Sequence, residues 1–158
     1  MTITGKGTPK DLTTPVETLF QPTEKVNSAT DDNAIQFIIV PKPGFTFTPT
    51  SVSITATRFG TNDGLLDFSW LNPDNTTVTL ATGQRPNRND GSKKHDTDTD
   101  AKFTTFTYEI TGATPAEGQC GLKVNLYGLA NNKQIGFSDI IINGTLSYTE
   151  KEMPILAS

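Results

Sequence analysis

Apolar and polar residues alternate along this chain with the two-residue period of β-strands. In Cys120–Tyr127, Leu122, Val124 and Leu126 fall on one face and Lys123, Asn125 and Tyr127 on the other. Residues 51–59 repeat the pattern, with Val52, Ile54 and Ala56 set against Ser53, Thr55 and Thr57. Leu66, Phe68 and Trp70 alternate with Asp67 and Ser69, and Asn72-Pro73-Asp74-Asn75 then turns the chain into a run over 76–81. Residues 34–40 form a β-rich run that Pro41 and Pro43 stop, and Thr104, Phe106, Tyr108 and Ile110 share a face. A second C-terminal run, ending near Ser147, follows a short polar loop. No window places apolar residues at i, i+3, i+4 and i+7 for three turns, so the pattern predicts strands and no helices.

About seven or eight short strands with turns between them predict an all-β sandwich, either immunoglobulin-like or jelly-roll. Cys120 is the single cysteine, so the immunoglobulin Cys…Trp…Cys spacing is impossible. The expectation is therefore a jelly-roll β-sandwich of galactose-binding-like type with about eight strands. Residues 34–148 make the sandwich, and residues 1–33 supply an edge strand and a polar linker of the same domain. The end of the chain, TEKEMPILAS, stops as a fresh apolar run begins, so residues 149–158 read as the start of a linker to a downstream domain.

Composition narrows the function. The 158 residues suffice for one core, and nine Phe, three Tyr and one Trp argue against disorder. A net charge of -4 and a pI near 4.9 speak against nucleic acid, which selects basic surfaces. No run approaches the ~20 apolar residues of a membrane-spanning helix. Met1 leads into Thr-Ile-Thr-Gly-Lys without an apolar leader, which leaves a cytoplasmic protein or one whose leader has been removed. Cys120 opens an apolar strand and reads as a buried, inert thiol.

Catalytic signatures are missing. His95, the only histidine, sits among Lys93, Lys94 and Asp96 in a polar loop, with nothing marking a nucleophile or an orienting acid. The acids cluster in loops and in the N-terminal third, where no pair flanks a visible cleft for glycoside hydrolysis. Asp96, Asp98 and Asp100 imitate the opening of a calcium loop. Ala101 and Thr107 then stand where such a loop needs glycine and glutamate. The expectation is no catalytic residue and no cofactor. A structural calcium is the one metal option kept open, with Asp139 as its weak candidate ligand.

Binding chemistry is better represented. Tyr127 faces away from the apolar set and can offer a stacking plate. Beside it, Asn125 can serve paired hydroxyls and Lys123 a carboxylate. Trp70 is a second aromatic candidate for stacking, although its phase with Leu66 and Phe68 favours core packing. The three arginines, Arg58, Arg85 and Arg88, fall in one region of sequence. They suit either bidentate contacts to acidic sugars or neutralisation of nearby aspartates.

The stretches SVSITATRFGTNDGLLDFSWLNPDNTTVTLATGQRPNRN and CGLKVNLYGLANNKQIGFSDIIINGTLS resemble the accessory β-sandwich modules of secreted Bacteroidetes polysaccharide-degrading proteins. The resemblance is closest to the non-catalytic domains attached to pectate lyase-type enzymes and related glycan-utilisation proteins. It implies a secreted or cell-surface, carbohydrate-binding-module-like domain, with plant cell-wall polysaccharide, including acidic pectic polymers, as its partner. Neighbouring domains of the same polypeptide are the other expected partner. The resemblance carries no binding residue of its own. The alternative expectation is a spacer or docking domain that binds no glycan.

Overall fold

Strand follows strand through the computed structural model, which describes residues 34–59, 64–88, 103–128 and 134–148. It also describes three short N-terminal strands over 2–5, 8–9 and 18–21, as backbone alone. His95, Asp96, Asp98, Asp100 and the run 149–158 lie outside the described residues, as does most of 1–33.

Ten strands are present among the described residues. They are β1 (Thr2–Gly5), β2 (Thr8–Pro9), β3 (Thr18–Gln21), β4 (Ala34–Ile39), β5 (Phe45–Phe59) and β6 (Leu65–Leu71). β7 (Thr77–Gln84), β8 (Thr104–Glu109), β9 (Cys120–Tyr127) and β10 (Gln134–Tyr148) complete the set. They form two antiparallel sheets, sheet I in the order β1-β4-β9-β6-β7 and sheet II in the order β2-β3-β10-β5-β8.

That order is a jelly roll. β3 pairs with β10, β4 with β9, β5 with β8 and β6 with β7, so the partners are nested like the two arms of one long hairpin. Wrapping the ribbon on itself brings β10 beside β5 and β9 beside β6, which yields two four-stranded sheets facing each other. β1 and β2 extend one edge of each sheet.

The tip of the ribbon is the β6–β7 turn, where side chains reinforce the backbone bonds from Asn72 N–H to Thr76 O and from Asn75 N–H to Asn72 O. The Asn72 side chain donates to Thr76 Oγ1 at 3.1 Å and accepts from the Thr114 backbone N–H at 3.0 Å. It thereby ties the turn to the segment leading into β9. The Asp74 carboxylate accepts from the Thr76 hydroxyl and backbone, which lowers its pKa.

The core follows from the alternation. In sheet I, Phe37, Leu122, Trp70 and Val78 form one inward row, and Ile35, Val124, Phe68 and Ala81 the next. Sheet II answers with Val52, Ile54, Ala56, Phe106, Ile135 and Phe137. Aromatic pairs join the layers: Phe37 meets Phe137 edge-on at 5.9 Å, and Phe68 meets Phe106 at 5.1 Å and Tyr108 at 5.2 Å. Each such pair contributes about 0.5–1.5 kcal/mol beyond area burial. At Gly121 a Cβ would run into the Phe37 carbonyl, so close approach of β4 and β9 demands glycine there.

β5 begins at Phe45, six residues before the alternation at 51–59 predicts. Pro49 hides the extension, because proline reads as a strand breaker. In the fold it sits opposite Gly144 at a register shift, one of the few places a paired strand tolerates it.

Candidate functional site

The outer face of sheet I gathers side chains of several chemical kinds. Lys123 on β9 stands between Gln36 on β4 and Ser69 on β6, and Thr79 on β7 continues the row. The next row places Asn125 between Ala34 and Asp67, and Tyr127 lies opposite Leu65. Lys123, Asn125, Tyr127 and Asp67 are half-buried, while Leu122, Val124 and Leu126 of the same strand are buried inside.

Asp67 organises one end of this face. The Tyr127 hydroxyl donates to Asp67 Oδ1 at 2.9 Å, and the Gly83 backbone N–H donates to the same oxygen at 2.8 Å. Gly83 has a φ of +63°, which turns its N–H towards Asp67 and favours glycine. A register shift between β6 and β7 over Leu66–Phe68 accompanies this contact. Partial burial, then the hydrogen bond and the charge of Asp67, raise the Tyr127 pKa. The phenol therefore stays protonated as a donor at neutral pH, and its ring is held in one orientation.

Asp67, Gly83 and Ser69 are the residues that sequence reasoning left without a role. The available signal was the outward phase of Asp67 and Ser69 between Leu66, Phe68 and Trp70. The pairing of Tyr127 with a residue 60 positions away needed the fold.

Two candidates move inside. Trp70 is fully buried in the core, so it has no surface from which to stack on a ligand. Its indole N–H is also buried and meets no acceptor among the described residues, a cost accepted for the volume of the ring. Arg58 is 1% exposed, which corrects the expectation of a loop-borne anion contact. It continues the inward phase of Val52, Ile54 and Ala56, pairs with Ile135 and donates Nε to the Pro86 carbonyl at 3.0 Å. Its backbone N–H donates to the Asn87 carbonyl, and a parallel bridge joins it to Arg88. Arg58 thus fastens the segment after β7 to the end of β5. Arg88 is half-buried beside it, and Arg85 is exposed just after β7.

Asp139 is exposed at a bulge in β10, with a φ of +49°, and its carboxylate accepts from the Ser138 hydroxyl at 3.4 Å. Among the described residues no three His, Cys, Asp or Glu side chains come together to hold a metal ion. Cys120 is buried, and burial pushes its thiol up to about 11.

No protein-family model matches the chain, and no curated protein matches it. Among the solved structures that match is one described as "CBM4 structure and function", at 12% identity with a TM-score of 0.47. The overlap covers 81% of this chain and 83% of that one. A likeness this distant carries no argument, and the functional reading rests on the face of sheet I.

Proposed function

We propose that this chain is a non-catalytic carbohydrate-binding module whose ligand lies across the outer face of sheet I. The observation that carries the reading is Tyr127, an outward aromatic ring fixed by its hydrogen bond to Asp67, with Asn125 and then Lys123 following along the same face of β9. A ring held in place offers an apolar plate to the C–H face of a sugar without losing freedom on binding. The amide of Asn125 would hydrogen-bond hydroxyls at the rim of that sugar, and the ammonium of Lys123 those of the next unit along the strand. Rows running across β4, β9 and β6 suit an extended chain of sugar units, which favours a polysaccharide such as those of the plant cell wall.

An acidic, pectic ligand would instead have to draw on Lys123 and on Arg85 and Arg88 at the neighbouring sheet end. Arg58 no longer contributes. A module of this kind would act outside the cell, where tethering raises the local concentration of polymer near an attached enzyme with only modest affinity.

The spacer or docking reading has one observation of its own. Leu146 and Tyr148 at the end of β10 are 62% and 57% exposed, an apolar edge suited to a neighbouring domain. Probing immobilised plant cell-wall glycans with the purified protein separates the two. Capture by a defined glycan supports the module; capture by none favours the spacer.

A further inference from the structure

We propose that Asp67 makes the outer face of sheet I selective for neutral glycans over carboxylated ones, an inference that rests on the carbohydrate reading above. Both donors that reach Asp67, the Tyr127 O–H and the Gly83 N–H, converge on Oδ1. Among the described residues Oδ2 meets no donor. The carboxylate is therefore fixed in orientation by one oxygen while the other remains an acceptor at the edge of the Tyr127 ring.

Its neighbours sharpen the pattern. Asn125 stands directly opposite Asp67, and Lys123 lies one step along β9, opposite Ser69. Residues opposite one another on a sheet face are about 5 Å apart and diagonal ones about 7–8 Å, within the reach of a single sugar unit. The face thus offers a charged acceptor flanked by donors. A neutral sugar matches this pattern, because each hydroxyl both donates and accepts: one can give its proton to Oδ2 while the next accepts from Asn125 or Lys123. A uronate carboxylate has no proton to give, and its charge would lie beside that of Asp67. Like charges facing each other across an interface are disfavoured strongly enough to set specificity.

Two of the three arginines that could reverse this preference are held at the end of sheet II, while Arg85 is exposed just after β7. Arg58 lies in the core at the end of sheet II, and Arg88 is bridged to it. Lys123 is the one cation in the rows of Asn125 and Lys123 among the described residues, and one ammonium near one carboxylate leaves those rows without net positive charge.

Titration calorimetry of the intact protein with xylan, β-glucan and polygalacturonate tests the proposal. The wild-type chain should bind a neutral polymer at least about tenfold more tightly than polygalacturonate, and Asp67→Asn should narrow that ratio to within about threefold. Equal or tighter binding of polygalacturonate by the wild type would overturn it. So would an unchanged ratio in a folded Asp67→Asn protein. Binding to none of the three polymers overturns the carbohydrate reading and this inference together, whereas an acidic preference overturns this inference alone. The wild-type ratio stands even if the variant fails to fold.

Discussion

The two outer faces of the sandwich are both polar, and they are polar in different ways. On sheet II, Ser51, Ser53 and Thr55 of β5 stand opposite Glu109, Thr107 and Thr105 of β8. The hydroxyls bond to one another, Thr55 with Thr105 at 2.9 Å and Thr107 to Ser53 at 3.3 Å, and Asn143 donates to Ser51 at 3.2 Å. That stretch is built mainly of small hydroxyls that bond to one another, with the exposed Ile141 beside Ser53. Sheet I instead mixes a ring, a carboxylate, an amide and an ammonium, and the hydrogen bond from Tyr127 to Asp67 holds the ring. A solvated surface requires only the first kind of face. The second kind has the parts that a sugar recognises: a plate for its C–H face, and donors and an acceptor for its hydroxyls.

The strongest perturbation should erase the difference between the faces. Trp70 lies beneath sheet I and packs into the core shared by both sheets. Trp70→Ala should cost about 3–5 kcal/mol of stability, read by urea unfolding, because it leaves a large cavity. A loss below about 1 kcal/mol would mean that the ring is not packed as described.

Tyr127→Ala should separate the faces. Glycan binding should weaken by about 1–3 kcal/mol, as for aromatic hot spots, while the melting temperature stays nearly constant. Unfolding of that variant would show that the ring supports the fold rather than a ligand.

Alkaline pH should loosen the interior under both faces. Burial raises the Cys120 thiol from 9.0 to about 11 and the Tyr108 phenol from 10.0 to about 12. The folded chain keeps protons that the unfolded chain releases, so these groups contribute fully below pH 9 and their contribution is lost progressively up to about 12. Melting curves between those limits should fall steadily with rising pH; a flat profile would contradict the burial of these groups. The Tyr127 pKa is raised as well, so the donor to Asp67 should survive above the ordinary tyrosine range before ionisation disrupts the sheet I face.

The smallest effect belongs to sheet II. Thr107→Ala should shift stability by no more than about 0.5 kcal/mol and leave glycan binding unaltered, since it removes one exposed hydroxyl from a self-bonded set.

Much of this architecture is legible in the alternation. The residues at 122–127 sort themselves by face, and short strands with a lone cysteine already point to a jelly roll. Three features resisted for physical reasons. Pro49 conceals the first third of β5, because its effect depends on a register shift that only pairing with β10 defines. Arg58 follows the inward phase of Val52, Ile54 and Ala56, but charge argues for the surface. The carbonyl of the distant Pro86, which accepts from Arg58 Nε, tips the balance. Asp67 looks like any outward polar residue until the fold brings Tyr127 and Gly83 onto one of its oxygens. Alternation tells which side a residue faces; it does not tell which residue it will meet there.

Affinity electrophoresis of three proteins tests whether sheet I holds the glycan: wild type, Tyr127→Ala on sheet I and Thr107→Ala on sheet II. Native gels would contain xylan, β-glucan, homogalacturonan or rhamnogalacturonan. The account predicts that at least one polymer retards the wild type and Thr107→Ala alike, and that Tyr127→Ala runs as if the polymer were absent. Unchanged mobility of the wild type in all four gels, or equal retardation of Tyr127→Ala, would contradict it.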